Sequence, residues 1–130
     1  MFFEFNTNPK SVLVIDDDSS LRRQIFVHLK YQGKLDVIQA ENGSNGLRKA
    51  EFELPNLIIL DWMLPDIAGP DVLIKLKSSP KTQKNPVLML TGRNKVGNIE
   101  HAFSMGAEAY LTKPFSLNKL GDKVTEILKA

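Results

Sequence analysis

Asn56-Leu57-Ile58-Ile59-Leu60-Asp61-Trp62-Met63-Leu64-Pro65 reads as a buried strand that ends on one carboxylate. The run before Asp61 is almost continuously apolar, the pattern of a strand covered on both faces in a parallel sheet, and the Leu64-Pro65 step stops it from continuing. In open α/β sheets ligands bind at the carboxyl ends of the strands, so Asp61 points where chemistry is usually done. Other runs share this form. Val12-Leu13-Val14-Ile15 enters Asp16-Asp17-Asp18, Val87-Leu88-Met89-Leu90 enters Thr91-Gly92, and Glu108-Ala109-Tyr110-Leu111-Thr112 enters Lys113-Pro114. Acids, a hydroxyl and a lysine are thereby brought to one edge of one sheet.

Helix-like segments separate these runs. Ser19 or Ser20 is expected to cap a first helix with Leu21, Ile25 and Leu29 at helical spacing. Leu35 to Ala40 is a weaker strand, and Ser44 to Phe52 a short helix. Gly69-Pro70 opens the next helix, with Val72, Leu73 and Leu76 as its inner face, since proline at the first helical position gives up an N–H that has no partner there. Ser78 to Pro86 reads as a solvent loop, and a fourth helix from about Lys95 to Met105 ends at Gly106. A last helix follows Ser116, with Leu117, Leu120, Val124, Ile127 and Leu128 on one face. Such alternation predicts a parallel sheet covered by helices on both sides, and right-handed crossovers restrict its topology.

The bulk properties exclude other classes. A length of 130 residues suits one domain, divided here into a tail over residues 1–9 and a folded unit over 10–130. Cysteine is absent, so there is no disulfide framework, thiol nucleophile or Cys-based metal site, and a reducing cytoplasm is the expected compartment. The net charge of +2, with scattered basic residues, does not argue for direct nucleic-acid binding. No apolar stretch is long enough for a membrane span. The opening Met1-Phe2-Phe3-Glu4-Phe5 lacks the basic start and long apolar core of a signal peptide.

Taken singly, each polar residue has a simpler reading. Asp16 to Asp18 suit a helix cap, Thr91 a strand-end hydroxyl, Lys113 a solvated charge, Asp61 a turn, and Tyr110 a half-buried packing aromatic. His28 and His101 read as surface positions without acidic or nucleophilic neighbours. Jointly the features are harder to set aside. The order acid pair, acid, hydroxyl, lysine, carried by Val-Leu-Val-Ile-Asp16-Asp17-Asp18-Ser-Ser-Leu-Arg-Arg, Leu-Asp61-Trp-Met-Leu-Pro65, Val-Leu-Met-Leu-Thr91-Gly92 and Tyr110-Leu-Thr-Lys113-Pro114-Phe115, resembles the receiver domain of bacterial two-component response regulators. The resemblance covers nearly the whole chain from Lys10 and is closest to single-domain, chemotaxis-type (CheY-like) regulators.

That resemblance implies a doubly wound, flavodoxin-like sheet of five parallel strands in the order 2-1-3-4-5. It implies that Asp61 accepts a phosphoryl group from a sensor histidine kinase, a histidine phosphotransfer protein or a small phosphodonor. A Mg²⁺ or Mn²⁺ ion would be held by Asp17, Asp61 and the Met63 backbone carbonyl, with Asp16 binding directly or through water. Lys113 and Thr91 would contact phosphoryl oxygens, and Gly92 would leave room for the group. Thr91 and Tyr110 would form the switch that reshapes the face of the fourth helix, fifth strand and fifth helix for a downstream protein, as a monomer or a phosphorylation-dependent dimer. The Lys113–Pro114 bond would be cis. The chain is thus expected to be a signalling phosphoacceptor rather than an enzyme acting on other substrates.

One departure from the family pattern lies before the third helix, where Ala68 stands in place of the usual Asp before Gly69; the consequence expected is for loop rigidity. Met63 and Arg93 flank the approach of a hydrolytic water and are expected to lengthen the life of a phosphorylated form. Two alternatives stand beside this reading. The chain could be a receiver from a larger regulator with a DNA-binding or enzymatic output domain. Asp16-Asp17-Asp18 also fits the Asp-x-Asp start of haloacid-dehalogenase-like phosphatases with Asp16 as nucleophile, although the late acids Glu100, Glu108, Asp122 and Glu126 sit at no obvious strand end and Asp61 would lose its role.

Overall fold

Strand and helix alternate through the chain in a computed structural model that describes residues 9–92 and 96–129, the backbone alone over 96–99. The elements are β1 (Ser11–Ile15), α1 (Ser19–Tyr31), β2 (Asp36–Ala40), α2 (Gly43–Glu53), β3 (Leu57–Asp61), α3 (Gly69–Ser78), β4 (Val87–Thr91), α4 (Val96–Ser104), β5 (Ala109–Thr112) and α5 (Leu117–Lys129). All strand pairs are parallel and the sheet order is β2-β1-β3-β4-β5. This is the expected doubly wound topology. The expected tail residues Phe2, Phe3 and Phe5, together with Arg93 and Lys95, lie outside the described residues.

Alternation along the strands sends side chains to two separate cores. Leu13, Ile15, Ile58, Leu60, Val87 and Met89 pack on one face against Ala50 of α2 and Val72, Leu73 and Leu76 of α3. Their immediate neighbours Val12, Val14, Leu57, Ile59, Leu88 and Leu90 pack on the other against Ile25 and Leu29 of α1 and Leu120 and Val124 of α5. Full burial of each such side chain contributes about 1.5–3 kcal/mol. That double coverage is why β3 and β4 read as unbroken apolar runs.

Local chemistry sets the ends. The cap of α1 is Asp18, not Ser19 or Ser20: its carboxylate accepts the N–H groups of Ser20 at 3.0 Å and Leu21 at 3.1 Å. A carboxylate at a helix N-terminus also meets the favourable end of the helix dipole, which a serine hydroxyl does not exploit with a full charge. Gly106, at φ 104°, follows α4 in the left-handed conformation that ends a helix. The connection from Ser78 to Pro86 is less solvated than its composition suggests, because buried Thr82 donates its hydroxyl to the Leu76 carbonyl at 2.7 Å.

Register aligns the chemistry. Ile15 lies opposite Leu60, Asp61 opposite Leu90, and Thr91 opposite Thr112. The residues just past these positions emerge side by side at the carboxyl edge.

Candidate functional site

Three carboxylates meet at that edge. Asp16, the first residue after β1, is fully buried; Asp61, the last of β3, is 5 % exposed; Asp17 is open to solvent. Their ligand oxygens lie within 4.8 Å of one another, the one such acidic group among the described residues. Lys113 leans in from the end of β5, and its Nζ stands 3.2 Å from Asp16 Oδ2 and 3.2 Å from Asp61 Oδ1. The other oxygen of Asp16 accepts the Asp18 N–H at 2.9 Å, so this acid is held from two directions.

The electrostatics follow from crowding. Burial and the neighbouring Asp16 push the Asp61 carboxyl up to about 6 from 3.8, and Lys113 only partly offsets them. Burial works against the charged form of Lys113, but Asp61 and Asp16 together outweigh it and raise its pKa. The pocket therefore holds more negative charge than one ammonium balances. Hard oxygen donors, a carboxylate excess and a partly open rim fit a divalent cation of the Mg²⁺ type.

Around the acids, Thr91 is buried at the end of β4. At Gly92 an added methyl group would meet nothing within 4 Å, so there is open space beside Thr91. Met63 is exposed on the rim; Arg93, its expected companion against water, lies outside the described residues. Pro114 follows a cis peptide bond, as the resemblance implies. Tyr110 is half-buried on β5 and meets Phe103 of α4 edge-on, with ring centroids 5.6 Å apart. Phe103 and Tyr110 also line a groove between α4, β5 and α5.

The expected site residues Asp16, Asp17, Asp61, Thr91 and Lys113 thus converge on one edge, while Tyr110 sits on the adjoining face. Sequence reading missed Phe103, which lies within the expected fourth helix and belongs to none of the quoted motifs. It also missed Asp66, whose carboxylate caps a distant helix and is held down to about 2 by the backbone N–H of Ser44 together with those of Gly43 and Ile67. Nothing in the local sequence marks that contact, because its partners are 22 and 23 positions away. His101 is exposed, as expected, but its ring lies 6.5 Å from that of Trp62. Glu108, one of the late acids that a phosphatase reading requires, belongs to the opposite end of β4, where it binds the Val87 N–H and Lys77.

Residues 12–125 match the response regulator receiver domain model, and the chain belongs to that family. It is 33% identical over 120 residues to the phosphate regulon transcriptional regulatory protein PhoB of Pseudomonas aeruginosa, covering 92% of this chain and 52% of the relative. It is 38% identical over 120 residues to the alkaline phosphatase synthesis transcriptional regulatory protein PhoP of Bacillus subtilis, covering 92% and 49%. The chain therefore spans about half the length of these curated relatives. Among solved structures, the receiver domain of the Francisella response regulator 1452 superposes with a TM-score of 0.86 at 30% identity, covering 94% of this chain and 98% of that one. A CheY-like receiver domain protein from Methanospirillum hungatei does so with a TM-score of 0.86 at 30% identity, covering 94% and 95%.

Proposed function

We propose that Asp61 is the phosphoacceptor of this receiver and that the face of α4, β5 and α5 carries the signal to a protein partner. A carboxylate oxygen of Asp61 attacks phosphorus; the bond from phosphorus to the donor's nitrogen or oxygen breaks, and the leaving group takes the electron pair. The observation that carries this reading is the contact of one ammonium, Lys113, with both buried carboxylates at 3.2 Å. Once a phosphoryl group is attached to Asp61, Lys113 is within reach of its oxygens, and the Thr91 hydroxyl donates to another across the space beside Gly92. Phosphoryl transfer asks for little beyond such positioning and charge stabilisation.

Asp16, Asp17, Asp61 and the Met63 carbonyl would hold the cation, Mg²⁺ or Mn²⁺. Bound there, it would reduce the repulsion between an anionic nucleophile and an anionic donor. The switch runs through Thr91 and Tyr110, whose contact with Phe103 links β5 to α4. The natural donor is a sensor histidine kinase or a histidine phosphotransfer protein, and the compartment is the cytoplasm. Residues 10–130 form the receiver and 1–9 a tail. The length of the PhoB and PhoP relatives favours a second reading in which this receiver governs a further output domain; the gene surrounding these codons separates that from output by partner contact alone.

The test is incubation with Mg²⁺ and acetyl phosphate followed by intact mass, beside Asp61→Asn. The expected result is one added phosphoryl group on the parent and none on the variant. Equal labelling of both would overturn the assignment and move the nucleophile to Asp16.

A further inference from the structure

Between Asp61 and α3 the chain makes a short loop, Trp62 to Ala68, which includes Met63. Its two ends are tied by the backbone: Trp62 N–H donates to the Leu90 carbonyl at 2.8 Å, and Gly69 N–H donates to the Trp62 carbonyl at 2.8 Å. The middle is tied by one side chain. Asp66 Oδ1 accepts the Gly43 N–H at 2.7 Å and the Ile67 N–H at 2.8 Å, while Oδ2 accepts the Ser44 N–H at 2.9 Å. Gly43 and Ser44 are the first residues of α2.

The N-terminus of α2 leaves no spare donor in its first turn. Asn42 accepts the Asn45 N–H with its side chain at 2.8 Å and the Gly46 N–H with its carbonyl at 3.0 Å, so Asp66 takes the two N–H groups that a local cap does not reach. The approach is close as well: a methyl group on Gly43 would stand 3.0 Å from both Ile67 Cβ and Val72 Cγ2. The start of α2 lies just after Ala40, whose carbonyl accepts the Asp16 N–H at 3.1 Å. A continuous frame therefore runs from Asp16 through Ala40 and the start of α2 to Asp66, and back along the loop to Met63 and Asp61.

We infer that Asp66 is a positioning residue for the acid pocket: by clamping the loop to α2 it fixes the Met63 carbonyl against Asp16, Asp17 and Asp61, and so sets the affinity of the pocket for a divalent cation. This rests on the reading of that pocket as a cation site.

The experiment is a Mn²⁺ titration of the parent, Asp66→Ala, Asp66→Asn and Asn42→Ala, with free ion read by electron paramagnetic resonance and each protein melted without metal. Outer partners of metal ligands typically contribute 10–100-fold to affinity, so Asp66→Ala is expected to weaken Mn²⁺ binding about tenfold. Asp66→Asn, which keeps one acceptor oxygen, should fall between. Asn42→Ala caps the same helix less well without touching the loop; it should lower the melting temperature and leave Mn²⁺ affinity within about twofold, as a control for helix stability alone. Unchanged affinity in Asp66→Ala, or an equal loss in Asn42→Ala, overturns the clamp. If the parent itself binds no Mn²⁺, the cation reading of the pocket fails, and the clamp's role fails with it.

Discussion

At the scale of single residues, Asp61 and Asp66 are opposites. Asp61 is raised to about 6 from 3.8 by burial and by Asp16, so the folded state holds its proton more tightly than the unfolded chain. Its charge therefore costs stability, and the cost grows as pH rises from about 4 to about 6 and persists above that. Asp61→Asn should melt at a higher temperature than the parent near pH 7.5 in metal-free buffer, with the gain gone by about pH 4. Added Mg²⁺ should stabilise the parent and not the variant. A variant no more stable than the parent at neutral pH would show that Lys113 fully balances the pair. Asp66 is lowered to about 2 by the N–H groups it accepts, so its contribution is present above 3.8 and is lost as pH falls through about 2. Asp61 was legible in the sequence because an acid ends an apolar strand. Asp66 was not, because an acid after Leu-Pro looks like any turn residue until the topology brings Gly43 and Ser44 beneath it.

Elements depend on glycines for different reasons. A methyl group on Gly69 would lie 2.2 Å from the Asp61 carbonyl oxygen and 2.7 Å from Trp62 Cα, so α3 starts in backbone contact with the end of β3. Gly69→Ala should cost about 1–3 kcal/mol by overpacking, read from the denaturant midpoint. Gly92→Ala, with nothing within 4 Å, should stay within about 0.5 kcal/mol. Equal losses at the two positions would refute the close-approach argument. Helix and strand identities were legible from periodicity and from Gly69-Pro70. The ends were less so: α1 takes its cap from Asp18, because a carboxylate outcompetes the serines that follow it.

The whole molecule is a partition with a core on either side. Ile58 and Ile59 are neighbours in sequence, yet Ile58 belongs to the core under α2 and α3 and Ile59 to the core under α1 and α5. Ile58→Val and Ile59→Val should each cost about 0.5–1.5 kcal/mol. Although adjacent, they share no core partners, so the double variant should equal the sum within about 0.5 kcal/mol, measured by urea unfolding; a larger discrepancy would mean that the sheet transmits strain between its faces. The sheet class and the convergence of the acids, hydroxyl and lysine on one edge were legible because each strand carries its own chemical ending. The meeting of Tyr110 with Phe103 was not, since it depends on how α4 seats beside β5.

Lys113 and Asp16 meet across 97 positions of chain. Along the chain the acids of β1 and β3 precede their counter-charge, so in N-to-C synthesis Lys113 is the last of these groups to be made. Arrival of the last strand thus closes the sheet and brings one ammonium to its most crowded charges in one event, so a chain lacking β5 would keep the acids of β1 and β3 without the cation that contacts them.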